Sequence, residues 1–426
     1  MSRAPRGPAG PADGAPERLS DKALERRVKR WWTGGPYETY VQVTPGLEGV
    51  LVEELASGGF GDPAGYEVDR GGVTLELDPA EVMRANLSLR TASRVLLRLG
   101  TFPAASPEML YDRARKLDWE VQLGFAASYA LRITARASNL QAGDEVANTV
   151  ASAVSRHMRE LGLYPKPAAG APLEFHVRLQ NDHATVSLDT SGELLHRRGF
   201  RRHVHAAPVR ETLAAAMVLS GLAGEPELPD VILDPFCGSG TLLMEATDVL
   251  LGLQPGRERG FAFEQAAWFR AGRWREAQRE AERRAGAAPL VAAAGAGSGA
   301  LPRLLGFDND PRALDAARRN LAQAPYRHVE VAEADSTRLD LDSLGAARGL
   351  VVSNLPYGVR LRGERTAAET TQRFLAQLAA SRARWRVALL TTPPEAEIAQ
   401  DLLDVEQVVS TRNGGLDVRL VVGTAA

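Results

Sequence analysis

Cysteine is nearly missing from this sequence. The single Cys237 excludes an intramolecular disulfide and any cysteine-built metal centre. Long apolar runs are missing too: no stretch approaches the ~20 residues that a membrane-spanning helix requires, so no membrane partner is expected. The N-terminus carries arginines and prolines without an apolar segment or a small-residue cleavage site, so no secretory signal is expected and the protein is expected to be cytoplasmic. Net charge is also nearly absent, at −2, but nucleic-acid binding depends on where positive charge sits rather than on its sum. What remains is a chain of 426 residues, 44% hydrophobic and 24% charged, long enough for two or three domains, each with its own core.

Residues 1–35 are rich in Pro, Gly, Ala and Arg, the composition of a disordered basic tail. Trp31 and Trp32 leave open a second reading, an arm that touches RNA by stacking. From Tyr37 the pattern turns regular. "YETYVQVTP" alternates like a strand, and "GLEGVLVEELASGGF" has helical spacing closed by two glycines. Residues 36–100 read as a small α+β unit, and residues 101–195 as a second one, with Val146, Val150 and Val154 on one helix face. Neither unit lines up a nucleophile, a base and an orienting group. Both read as binding modules.

A basic stretch follows, "LHRRGFRRHVHAAPVRE", in which Arg197, Arg198, Arg201 and Arg202 are candidate RNA contacts. A solvated linker is the competing reading; the guanidinium fork, which matches phosphate oxygens, favours the first. His203 and His205 have no further ligands nearby, and no metal is expected.

Residues 196–426 alternate strands and helices, the pattern of a doubly wound, Rossmann-like α/β domain whose ligands lie at the carboxyl ends of strands. An insertion at about residues 255–300 holds an Arg- and Glu-rich helix and a low-complexity linker. "VILDPFCGSGT" places Gly238 and Gly240 between a strand and a helix, where backbone can approach a ligand closely. Leu243 stands where a dinucleotide fingerprint needs a third glycine, and no Gly-Lys-Ser/Thr is present. Phosphate is therefore not the expected ligand. Asp234 at the strand tip suits an α-amino group, Asp308 in "GFDND" suits a ribose diol, and Asp335 in "EADS" suits an adenine amine. Together they describe S-adenosylmethionine, with Phe236, Asn309, Ser336 and Asn354 as further candidate cofactor contacts. Asp310, before Pro311, is expected to cap a helix, and Cys237 to be a packing residue.

The fourth strand ends in "NLPYG". An exocyclic base amine is a poor nucleophile, because its lone pair is delocalised into the ring. Methyl transfer to it needs acceptors that hold its N–H groups and aim the lone pair. The Asn354 amide oxygen and the Leu355 carbonyl can do this, Pro356 stiffens the turn, and Tyr357 can stack on a base.

These residues resemble a known family. "DPFCGSGTLLMEA", "NLPYG" and the acidic strand tips look like a class I S-adenosylmethionine-dependent methyltransferase acting on an exocyclic amine. "VTPGLEGVLVEEL", "NLSLRTASRVLLRLGTF", "SLDTSGELLHRRGFRR", "PGRERGFAFE" and "NGGLDVRLV" resemble segments of bacterial THUMP-domain RNA guanine-N2 methyltransferases of the 23S ribosomal RNA type. The resemblance implies a ferredoxin-like subdomain over residues 36–100, an RNA-gripping THUMP domain over 101–195, and a catalytic domain over 196–426. Two positions depart from it. Leu355 replaces a proline common among the relatives, giving the Asn-Leu-Pro-Tyr of ribosomal RNA adenine dimethyltransferases, and Ala266 replaces an aromatic, leaving Trp268 alone. Transfer RNA guanine-N2, RNA adenine-N6 and a non-catalytic RNA-binding role stay open as alternatives.

Overall fold

The computed structural model describes residues 16–199, 203, 209–287, 301–357 and 366–425. Its elements begin α1 (Asp21–Gly34), β1 (Tyr37–Val43), α2 (Glu48–Ser57), β2 (Glu67–Asp69), β3 (Gly72–Leu77), α3 (Pro79–Ser88), β4 (Ala92–Pro103), α4 (Pro107–Ala114), α5 (Trp119–Leu123), β5 (Ser128–Arg136), α6 (Asp144–Glu160), β6 (Lys166–Pro167), β7 (Glu174–Gln180) and β8 (His183–Asp189). They continue α7 (Glu211–Leu222), β9 (Val231–Asp234), α8 (Thr241–Leu250), α9 (Ala271–Ala287), β10 (Arg303–Asp308), α10 (Pro311–Leu321), β11 (Glu330–Glu333), β12 (Arg348–Asn354), α11 (Ala367–Ala380), β13 (Arg384–Thr391), α12 (Pro393–Leu402), β14 (Asp404–Asn413) and β15 (Leu416–Ala425). Two compact units result, one of Met1–Glu38, Leu96–Gly192 and Phe261–Ala271, the other of Thr39–Val95, Glu193–Gly260 and Gly272–Ala426. No helix among the described residues is long and apolar enough to cross a membrane.

In the first unit the strands lie in the order β4-β8-β7-β5-β6, antiparallel at β4/β8 and β8/β7 and parallel at β7/β5 and β5/β6. Helix α6 buries Val146, Val150, Val154 and Met158 along one stripe. Helix α1 corrects the expectation of a disordered tail: of residues 1–35, the described ones include a capped helix. Ser20 accepts from the Ala23 N–H, and Leu24, Val28 and Trp31 form a buried stripe at helical spacing. Trp31 stacks on Tyr37 with ring centroids 4.6 Å apart, and the Trp32 indole N–H donates to the Trp268 carbonyl at 2.8 Å. Trp268 is therefore not alone; it is fully buried against Trp31, Trp32 and Phe263. Composition missed the helix because its flanking prolines and glycines outweighed three apolar residues at the right spacing.

In the second unit, β2, β3 and β1 lie side by side in that order. A separate seven-stranded sheet runs β11-β10-β9-β12-β13-β15-β14 among the described residues. Strands β11 to β13 are parallel, and β15 lies antiparallel between β13 and β14. Strands β9 and β12 are almost wholly buried, "VILD" and "RGLVVSN", as parallel strands covered on both faces should be. Strand order reverses between β9 and its neighbour β12, with Leu233 opposite Val351. A doubly wound sheet opens its ligand crevice at the carboxyl ends of such a pair. Asp234 and Asn354 end those two strands.

Candidate active site

Asp234 is 1% exposed, and its Oδ1 accepts from the Ser353 hydroxyl at 2.8 Å and the Phe236 N–H at 3.3 Å. Burial pushes its carboxyl up to about 7, and Asp308 adds to the rise, against the pull of those two donors. Near neutral pH it therefore sits between its two protonation states. Beyond it the loop folds back: the Gly240 N–H donates to the Cys237 carbonyl at 2.8 Å, and Gly240 enters α8 at φ +84°, a conformation that favours glycine. A Cβ on Gly238 would meet nothing within 4 Å, so open space lies beside that backbone. Cys237 is buried, and burial followed by the charges of Asp234 and Asp308 drives its thiol well up, which makes it an unreactive packing residue.

Asp308 ties the second strand to this loop. Its Oδ2 accepts from the Gly238 N–H at 2.9 Å and its Oδ1 from the Asp310 N–H at 2.8 Å. Each oxygen keeps a further lone pair for a ligand hydroxyl. Asp310 caps α10 through the Arg312 N–H, as its place before Pro311 predicts. Asn309 is exposed and Phe236 half-buried, its ring edge-on to Phe374 at 5.7 Å. At the third strand, Asp335 Oδ1 accepts from the Thr337 N–H at 3.0 Å and hydroxyl at 2.7 Å, capping a short 3-10 turn. Ser336 is buried and its hydroxyl donates to the Pro235 carbonyl, which joins that turn to the first loop.

On β12 the Asn354 Oδ1 is buried with no hydrogen-bond partner among the described residues. A buried acceptor without a donor is costly unless something else satisfies it. The Leu355 N–H donates to the Leu390 carbonyl at 2.9 Å, and its side chain is fully buried in a core cluster that also holds Phe374, Leu375 and Leu389. The side chain therefore points into the core, and the N–H bond it allows is one that proline cannot make. Tyr357, two residues on past Pro356, is 3% exposed, and its hydroxyl accepts from the Asn413 Nδ2–H at 3.1 Å.

The structure separates the candidate RNA contacts. Arg197 is exposed beside Glu193, whereas the Arg198 side chain is 1% exposed, bonded to Glu245 at 3.2 Å and to the Arg90 carbonyl at 2.7 Å. Arg198 is thus a correction: its guanidinium serves a buried ion pair rather than a phosphate. Arg201 and Arg202 lie outside the described residues. Sequence reasoning also passed over two residues of the site. Ser353 was visible as a hydroxyl inside an otherwise apolar strand; Asn413 had no local signal, since its partner is 56 residues away.

With this geometry in place, a family model described as "RMKL-like, methyltransferase domain" matches residues 198–421, and one described as "RlmL ferredoxin-like domain" matches residues 38–96. The first spans more than half of the chain, which belongs to that methyltransferase family. Among its curated relatives are the ribosomal RNA large subunit methyltransferases K/L of Methylococcus capsulatus and Syntrophotalea carbinolica. The first is 34% identical over 81% of this chain and 46% of its own length, the second 32% over 91% and 53%. The chain spans about half the length of the curated relatives it matches. Two solved structures are similar throughout. One, a methyltransferase complexed with SAH, has TM-score 0.75 at 25% identity over 91% of this chain and 97% of its own. The other, a predicted N6-adenine-specific DNA methylase from Listeria monocytogenes, has TM-score 0.76 at 26% identity over 92% and 97%.

Proposed function

We propose that this chain transfers a methyl group from S-adenosylmethionine to the exocyclic N2 of a guanosine in 23S ribosomal RNA. The observation that carries the reading is the buried Asn354 Oδ1, without a partner among the described residues, directly after the Ser353 whose hydroxyl holds Asp234, at the point where the strand order reverses. The residues present fit the cofactor: Asp234 for an α-ammonium, Asp308 for a ribose diol, Asp335 and Ser336 beside an adenine, and Gly238 with open space at its backbone. Bound there, S-adenosylmethionine supplies a methyl group on a cationic sulfonium. The Asn354 amide oxygen and the Leu355 carbonyl accept the two N–H groups of the target amine, which turns its lone pair outward. The acceptor that is costly when empty becomes satisfied when the amine arrives. Tyr357 stacks on the base once the face that is covered here opens to admit it.

Ribosomal RNA as substrate is supported by the names of the K/L relatives. Guanine is supported by the ordered segments shared with guanine-N2 enzymes. Leu355 does not weigh against it, because its side chain lies in the core rather than toward the amine. The proposed domains are a ferredoxin-like region over residues 36–100, a THUMP region over 101–195 and the catalytic domain over 196–426, with Arg197 offered to RNA. Adenine N6 is the second reading, favoured by the name of the Listeria structure. Nucleoside mass spectrometry of ribosomal and transfer RNA from a deletion strain separates them. Loss of N2-methylguanosine from 23S RNA alone is the expected result, and unchanged N2-methylguanosine in both RNAs would overturn the proposal.

A further inference from the structure

Two sequence segments from opposite ends of the chain, "VTPGLEGVLVEEL" and "NGGLDVRLV", reach the site through Asn413, the first residue of the second. They meet at β14. The Thr411 hydroxyl donates to the Pro45 carbonyl at 2.9 Å. The next residue, Gly46, lies so close to β14 that a Cβ on it would sit 2.1 Å from the Ser410 carbonyl oxygen, so only glycine fits. Two residues beyond Thr411, Asn413 donates to the Tyr357 hydroxyl. Thr411 and Asn413 are both buried while Ser410 and Arg412 are exposed, as the period of two along a strand requires. One face of β14 therefore grips the turn after β1 with Thr411 and the catalytic turn with Asn413.

We infer that Asn413 is a positioning residue, which sets the plane of the Tyr357 ring and, through Thr411 and Pro45, holds the catalytic turn in register with the β1–α2 turn. A tyrosine ring fixed only by packing can still pivot about its side-chain torsions; a hydrogen bond at its far end removes that freedom. Orientation of this kind acts on the rate of a bound complex more than on its affinity. The inference rests on the proposed methyl transfer. It gives the two distant segments a shared task that neither could perform by itself.

The test uses the full chain with RNA and S-adenosylmethionine, measuring kcat, KM for RNA, cofactor Kd and melting temperature for Asn413→Ala, Tyr357→Phe, Thr411→Val and the Asn413→Ala/Tyr357→Phe double variant. Each single change is expected to lower kcat about five- to tenfold, the worth of one hydrogen bond, with the cofactor Kd unchanged. The double variant should lose no more than the larger of the two single losses, because both changes remove the Asn413–Tyr357 bond. Tyr357→Phe keeps the ring and the fold, so it answers even where Asn413→Ala melts early. Wild-type kcat in Tyr357→Phe, or additive losses in the double variant, overturns the role of Asn413, and wild-type kcat in Thr411→Val removes Pro45 from the linkage. A wild-type chain that transfers no methyl group overturns the proposed function itself, a separate result.

Discussion

The Ser353 hydroxyl donates to the Asp234 carboxylate at 2.8 Å, joining the tips of β9 and β12 although the two residues are 119 apart in sequence. This bond and the Phe236 N–H partly offset a burial that pushes Asp234 up to about 7. A carboxyl raised in this way pairs with a cationic amine only in its charged form. S-adenosylmethionine affinity should therefore fall as pH drops below about 7, approaching tenfold per unit. Calorimetric titration between pH 5.5 and 8.5 checks this, with Asp234→Asn giving a flat and weaker profile. Ser353→Ala, which removes a donor to the charged form, should move the fall to higher pH; a midpoint that stays put would contradict the assignment.

The same group predicts a stability change of opposite sense. Its folded pKa lies above the unfolded value, so the native state holds the proton more tightly, and the cost of burying the charge grows from the unfolded pKa until pH passes about 7. The rise of about three units sets that cost at about 4 kcal/mol at most. Asp234→Asn should thus raise stability in denaturant at pH 8 and change it little at pH 4, while weakening the cofactor.

Leu355 makes a core contact and a strand hydrogen bond, and the proposed chemistry uses only its carbonyl. Leu355→Ala should cost about 2–5 kcal/mol of stability, the usual range for a buried leucine. The modified nucleoside should stay the same. A switch of target base in this variant would show that the side chain reads the base after all.

Adjacent arginines should behave differently. Arg198→Ala leaves Glu245 buried and unpaired and should destabilise the fold by about 3–5 kcal/mol, whereas Arg197→Ala should leave the melting temperature alone. If Arg197 meets a phosphate, its loss weakens RNA binding evenly across sequences and lowers the salt slope by about one. Denaturation curves and a salt titration of RNA affinity distinguish the two.

Near the N-terminus, Trp268→Ala removes a fully buried side chain from the cluster that docks α1. The loss should be about 3–5 kcal/mol, and limited proteolysis should cut before Tyr37 in the variant at protease levels that spare the wild type.

The strand tips were legible because their chemistry is local. Asp234, Gly240 and Asn354 each stand beside a turn that ends an apolar strand, and a parallel sheet then brings such tips together. Arg198 was not legible: it and Arg197 are the same residue type in the same basic run, and only Glu245, 47 residues later, decides which one is buried. Helix α1 was obscured by its surroundings, since composition averages over residues that periodicity keeps apart. Asn413 escaped because a turn with two glycines explains itself as a hairpin. Its second task appears only when the sheet places that hairpin beside Tyr357.

The first compact unit is assembled from three separate stretches, one of them the short Phe261–Ala271, which lies between the cofactor loop and the second strand of the other unit. A fragment cut to begin near residue 196 would keep Phe263 beside Phe261, Trp268 and Phe269 but would strip Trp31 and Trp32 from Trp268, and would be sticky for that reason. The C-terminal half is thus best purified together with the N-terminal half, and insolubility of the shorter fragment would report a stranded Trp268 rather than a domain unable to fold.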